Sequence, residues 1–399
     1  MFKFGLILSV VAHGRRRRLM SEGGASGRPE PGAPVVERLD FEAAAAHVED
    51  WRDLCARALE PQAFADPDFA LSLLRHAERG RRPDILFVRS DDGRRRLIGV
   101  AAVETKGADA VVWKRPLAAG PAIALAAAEA PRAFAALARA LAEDGARTLL
   151  VPEIAADGAL ARLLAEHASA TDAPHRAFDR GVRAILTRAA QAGDGPSPRH
   201  RREWERQERR LAERGAIAFD TLSAPDDVRD SFEDFLAIEA AGWKGEAGTA
   251  LVAEAGRAAF ARAATRLLAS RGLARIDRLT VGGRPVAMSV ALRAGRRLAC
   301  WKIAHDPAFA AHSPGAMLVR RMTASLRADA SLDFTDGCAT ADQALLNRLW
   351  PERQSMADAL VGLRGADGDG FETRARSLAR RRGLRDGLKR IAKAAGVRP

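Results

Sequence analysis

The stretch Ala299-Cys-Trp-Lys-Ile-Ala-His-Asp-Pro307, followed by Ser313-Pro-Gly315 and an amphipathic run, decides the fold. Its apolar residues predict a strand, Asp306-Pro307 a turn, and Pro314 the first turn of a helix. A helix that starts this way leaves backbone N–H groups unpaired and carries partial positive charge at its end, so it suits a phosphate. Gly315 lets backbone approach such a ligand closely. Corners of this kind are common, so the weight of this one comes from its surroundings.

Working outward, the chain states one plan twice. In the first half Phe69–His76 has helical period, Ile85–Val88 and Leu97–Val103 read as strands, and Asp91-Asp92-Gly93 turns between them. In the second half Ala259–Leu268 is the helix, Ile276–Val281 and Val286–Leu292 the strands, and Gly282-Gly283 the turn. Both pairs read as β-hairpins. Val111-Val112-Trp113-Lys114 then matches Ala299-Cys300-Trp301-Lys302, each ahead of a Gly/Pro loop. Amphipathic helices follow at Phe134–Leu141 and Leu318–Leu326, then short strands at Thr148–Val151 and Leu332–Thr335. Helix, hairpin, strand, loop, helix, strand is a mixed α/β layer with one parallel crossover. Matching order over successive elements points to a duplication.

The chain has 399 residues, enough for two domains. Residues 1–34 read as a disordered leader: Met1–Ala12 is apolar but too short to span a bilayer, and Arg15–Arg18 follow directly. Residues 35–190 form the first expected domain and 191–198 the linker, with Gly and Pro throughout. The second domain is expected over 199–364, opening with a charge-dense helix at Arg199–Arg214, and a basic tail over 365–399. A formal charge of +13 suits anionic lipid, nucleic acid or a polyphosphorylated cofactor, and does not choose among them. The mixed signs of the Arg199–Arg214 helix favour a solvated face over a nucleic-acid surface, and the tail reads as solvated, with a surface for anionic membrane as the alternative. Three cysteines without paired spacing argue for reduced thiols in the cytoplasm and against a structural metal.

Phe235-Leu-Ala-Ile-Glu-Ala-Ala-Gly-Trp-Lys-Gly245, Gly248-Thr-Ala-Leu251, Trp301-Lys-Ile-Ala-His-Asp306, Ser313-Pro-Gly315 and Arg348-Leu-Trp350 resemble the cellulose-biosynthesis-associated CelD/BcsL type of GNAT-superfamily acetyltransferase. The resemblance is dense over Pro198–Leu363 and looser over Val36–Arg188. It implies two tandem GNAT folds, as in Fem-type aminoacyl transferases, with acetyl-CoA or another acyl-CoA as donor in the second copy. The strand Arg297–Ala304, with Trp301, Lys302 and Ile303, would line the donor's pantetheine arm. The loop Phe309–Ala316, with His312, Ser313, Gly315 and Ala316, would hold its diphosphate. The family's usual Gln/Arg-x-x-Gly-x-Gly/Ala pattern is replaced here by Ala311-His-Ser-Pro-Gly-Ala316.

Acyl transfer needs a base, donors for the oxyanion and an acid for the leaving thiolate. Tyrosine, the frequent acid in that superfamily, is absent from the chain. Glu239 shares a helical face with Trp243 and reads as a base or as a partner for Lys244. Asp336 ends a strand where ligand crevices form, or simply precedes the turn at Gly337. Cys338 reads as an acid or as a small buried thiol. Lys244 and Lys302 are lysines in an arginine-rich chain, which points to compact charges for phosphate or carboxylate, with an edge-strand lysine as the alternative for Lys302. Trp243, Lys244, His305 and Asp306 are expected on the acceptor side, with loop anchoring favoured for the last two, and Trp301 reads as core more than platform. The expected activity is acyl transfer to a sugar, glycan precursor or other small nucleophile. A Fem-like aminoacyl-tRNA-dependent transferase and a degenerate scaffold in a polysaccharide-synthesis complex are the alternatives.

Overall fold

The computed structural model describes residues 33–394 apart from 79, 81, 189–197 and 340–343. The expected leader up to residue 32 and residues 191–197 of the expected linker lie outside the described residues, while Pro198, expected in the linker, opens a helix. The first half runs β1 (Val35–Leu39), α1 (Phe41–Ala45), α2 (Val48–Ala56), α3 (Pro67–His76), β2 (Asp84–Arg89), β3 (Leu97–Lys106), β4 (Asp109–Val112) and β5 (Ile123–Leu125). It continues with α4 (Ala130–Glu143), β6 (Thr148–Ala155), α5 (Ala159–Ala170) and β7 (His175–Thr187). The second half opens with α6 (Pro198–Ala212), β8 (Ile217–Leu222), α7 (Pro225–Ala241), α8 (Trp243–Glu246) and α9 (Ala255–Ala269). Then come β9 (Ala274–Val281), β10 (Arg284–Ala294), β11 (Arg297–His305), α10 (Pro314–Ala328), β12 (Phe334–Asp336), α11 (Ala344–Leu349), β13 (Glu352–Gly362) and α12 (Gly368–Ala394).

The repeated plan is the observed one. Each half makes an antiparallel meander, β2–β3–β4 and β9–β10–β11, and each crosses over through one helix to a parallel strand, β4 to β6 and β11 to β12. The strands join in one sheet in the order β1-β2-β3-β4-β6-β13-β7-β12-β11-β10-β9-β8, with β5 beside β3. The halves exchange their last strands: β13 inserts between β6 and β7, and β7 in turn pairs with β12. The second expected domain, 199–364, therefore does not close on itself. Its last strand fills the gap that parts the two strands of the first half, because that gap needs backbone partners.

One apolar layer serves both halves. Phe69 of α3, Phe260 of α9 and Trp301 of β11 meet edge to face, with centroids 5.1 to 5.8 Å apart. Asp66 caps α3 and pairs at 3.0 Å with Arg271 beyond the end of α9, which also reaches Asp68 at 2.6 Å. Gly256 in the first turn of α9 permits this approach, since a Cβ there would stand 2.4 Å from the His76 carbonyl oxygen. The expected basic tail is also corrected over its described part. Residues 368–394 form α12, and its Phe371 and Ala375 are buried against Leu360 of β13.

Phe69→Ala should therefore lower stability by about 3–5 kcal/mol, read as a fall in the urea midpoint, and should loosen both halves together. Separate unfolding of one half with the other unchanged would contradict a shared core.

Candidate active site where the strands part

In both copies the parallel strands pair briefly and then separate. β11 pairs with β12 only from Arg297–Phe334 to Ala299–Asp336, although β11 continues to His305. β4 and β6 pair only from Asp109–Thr148 to Val111–Leu150. Beyond Ala299 the edge of β11 that faces away from β10 has no strand partner among the described residues. A bulge sits at this point: Val290 faces Lys302 and Ala291 faces Cys300, so Trp301 is the extra residue. A bulge brings consecutive side chains toward one side, and the Lys302 ammonium lies 5.7 Å from the Trp301 ring.

The helix expected to hold a phosphate begins at the far end of that free edge. Asp306 caps the short 3-10 turn Pro307–His312 by accepting from the Ala308 N–H at 2.9 Å and pairs with Arg284, which is the expected anchoring role. Ser313 then takes a left-handed conformation, φ 51°, and its carbonyl accepts from the N–H groups of Ala316 at 3.0 Å and Met317 at 3.3 Å. Pro314, Gly315 and Ala316 are buried in the first turn of α10. The His305 imidazole borders Gly315. Burial lowers the His305 pKa, with Asp306 pulling the other way. Arg214 and Arg284 both stack on Phe309, 5.9 and 5.8 Å from its ring. His312 is half-buried.

On the opposite side of the sheet from α10 the expected residues gather, but in other roles. Glu239 is buried, and both of its oxygens are taken: Lys244 Nζ donates to Oε1 and the Leu251 N–H to Oε2, each at 2.8 Å. Lys244 Nζ also donates to the Ile303 carbonyl at 3.1 Å, on the free edge of β11. Of the two readings of Glu239, the ion pair with Lys244 is the observed one. Asp336 is likewise engaged, accepting from the Cys338 N–H at 2.7 Å and from Arg183 at 3.0 Å. Burial pushes the Cys338 thiol well up, and its backbone is left-handed at φ 48°. Trp301 departs from the expected donor-lining role as a side chain: its indole N–H donates to the Leu117 carbonyl at 2.8 Å and its ring sits in the shared core. Ile303 packs beneath α10, so only its backbone faces the gap. Trp243 is exposed at the start of α8.

Lys302 is different. Among the described residues it has no hydrogen bond or ion pair, and burial, with Lys244 adding repulsion, lowers its pKa to about 8. Its counterpart Lys114 in the first copy pairs with Glu153, which also pairs with Arg183. Burial alone would raise the Glu153 carboxyl, but Lys114, Arg183 and Arg180 outweigh it and hold it below its usual range. Asp358 of the inserted β13 accepts from the Glu153 N–H at 2.8 Å and from Arg180 at 3.0 Å. This network was not anticipated, although the match of Val111–Lys114 with Ala299–Lys302 was its signal in the sequence. A cleft with a volume of about 80 Å³ lies beside it, between the halves, and Gln62, Phe64, Gly120, Arg183, Arg297, Ala299, Asp336 and Met356 are among its walls.

Among the described residues no three His, Cys, Asp or Glu side chains are grouped to hold a metal ion, and no helix is long and apolar enough to cross a membrane. Residues 198–342 match the model of the Acetyltransferase (GNAT) domain. No curated protein matches the chain. Among solved structures, the C-terminal domain (DUF2156) of a protein described as a lysylphosphatidylglycerol synthetase from Agrobacterium fabrum is 16% identical, with a TM-score of 0.51, over 82% of this chain and 94% of that one. A conserved protein of unknown function from Bacteroides thetaiotaomicron is 10% identical, with a TM-score of 0.51, over 79% and 97%. FemX is 11% identical, with a TM-score of 0.50, over 78% and 95%. The fold is two tandem GNAT-like units in one sheet, and the second of them carries the match to the acetyltransferase domain.

A lysine whose pKa falls from 10.5 to about 8 on folding binds its proton more weakly in the folded state. Its buried charge lowers stability below pH 8, and the deficit is relieved as pH rises toward the unfolded value, because there only the unfolded chain stays protonated. Lys302→Met should therefore stabilise the protein at pH 7 by on the order of 2–3 kcal/mol, and much less near pH 10. Equal gains at both pH values in urea titrations would contradict this.

Proposed function

We propose that the protein transfers an acyl group from acyl-CoA, acetyl-CoA first, to the amine or hydroxyl of a sugar, glycan precursor or other small nucleophile. The observation that carries this reading is the free edge of β11, which ends at the first turn of α10. The backbone of Trp301 and Ile303 would hold the pantetheine arm. Ser313, Gly315 and Ala316 would hold the diphosphate, with His312 at the rim and the arginines around Phe309 adding positive potential. Acyl-CoA would supply an acyl group on a thiolate that leaves readily, so the lack of tyrosine is no obstacle. Cys338, kept protonated by burial, would be a proton donor. The acceptor would enter from the cleft between the halves, where Asp336 and Arg183 stand. The sequence resemblance supports a role in polysaccharide, including cellulose, assembly as part of the same proposal.

Calorimetric titration with acetyl-CoA tests it. Binding should be micromolar, and Gly315→Asp, which sets a carboxylate at the helix end, should weaken it at least about tenfold. Gly315→Ala should bind normally, because a Cβ there meets only ordinary contacts, at 3.6 Å from Leu345 and 3.8 Å from His305. Failure of the intact protein to bind acetyl-CoA or longer acyl-CoAs would overturn the proposal.

A further inference from the structure

We infer that Lys302 is a reactive lysine that takes the acyl group onto its own Nζ when no acceptor is present. The inference rests on the acyl-CoA reading above and names the nucleophile at that site.

The comparison of the two copies carries it. Lys114 and Lys302 stand equally far beyond the first paired residues of their strands, Asp109 and Arg297. Lys114 is neutralised across its gap by Glu153, a left-handed residue with φ 56°. The residues that occupy the corresponding place in the second copy are Cys338, left-handed at φ 48°, and Ala339. Neither is a carboxylate. The first gap is thus closed by an ion pair, whereas the second holds an amine with no ion pair among the described residues.

The charged and titratable groups that face Lys302 come from every element packed on it: Glu239 of α7, Lys244 of α8, Arg257 of α9, and Cys338 after β12. Glu239 is the one acid among them, and its oxygens are occupied by Lys244 and the Leu251 amide. Lys244 adds like charge. Desolvation and like charge both favour the neutral amine, the nucleophilic form. In the step itself, the Nζ lone pair forms the N–C bond with the thioester carbonyl carbon and the C–S bond breaks. The thiolate takes up the proton that the nitrogen loses. The products are an amide on Lys302 and free CoA thiol, so no further reactant is needed.

The test incubates the full chain with acetyl-CoA alone between pH 6.5 and 9.5, with calorimetry on the same samples and peptide mapping by mass spectrometry. Expected is acetylation confined to Lys302, at up to one group per chain, with a rate that rises through about pH 8. Lys302→Arg should remain unmodified in samples that calorimetry shows to hold acetyl-CoA. Gly315→Asp should lose the modification with the binding. Acetyl-CoA bound while Lys302 stays unmodified across that range would overturn the inference. If acetyl-CoA does not bind, the donor reading fails. Trace labelling of the intact protein with acetic anhydride then decides the lysine alone: a reactivity midpoint near pH 8 supports a reactive Lys302, and one above pH 10 overturns it.

Discussion

Everything at this site follows from the separation of β11 and β12 just beyond Ala299. A strand that loses its neighbour exposes a row of backbone donors and acceptors, and buried groups of that kind must find partners. The protein meets the requirement differently on each edge of β11. Toward β10 the ladder continues, with a bulge at Trp301 that absorbs one residue and turns its indole into the shared core. Away from β10 the Ile303 carbonyl is satisfied by Lys244, which Glu239 holds in place. Glu239 has little independence in this arrangement, because removing it would leave a buried ammonium against a carbonyl with no counter-charge.

The first copy shows what the same geometry becomes when it is sealed. There the gap is spanned by Lys114, Glu153, Arg183 and Arg180, and β13 from the other half completes the ladder on β6. Arg183 extends from this network to Asp336, so the sealed copy fixes the carboxylate at the mouth of the open one. The exchanged strands and the aromatic contact of Phe69, Phe260 and Trp301 make the two copies one mechanical unit. The first copy therefore serves as a wall and a brace for the second.

Much of the fold was legible because local signals agreed with the tertiary outcome. Gly282-Gly283, Pro314 and the apolar runs of β9, β10 and β11 each marked their elements, and the repeat of Trp-Lys ahead of a loop marked the duplication. The exchange of β7 and β13 was not legible, since nothing local in Glu352–Gly362 states which half it will join. α12 was read as a tail because its apolar residues are sparse among many charges, yet Phe371 and Ala375 alone suffice to dock it on β13. At the site, residue types pointed to the right neighbourhood, and pairing decided the roles. Glu239 and Asp336 look like bases in a sequence; their oxygens are filled by Lys244 and the Leu251 amide for Glu239, and by the Cys338 amide and the distant Arg183 for Asp336. Trp301 was rightly expected in the core, although its strand lines the gap.

If the free edge of β11 and the first turn of α10 form one donor site, acetyl-CoA should cover both at once. Amide hydrogen exchange of the full chain with and without acetyl-CoA reads this, and new protection is expected at residues 301–305 and 315–317, with no comparable change along β4 in the sealed copy. Protection at β4, or none at β11 while the ligand is bound, would contradict it.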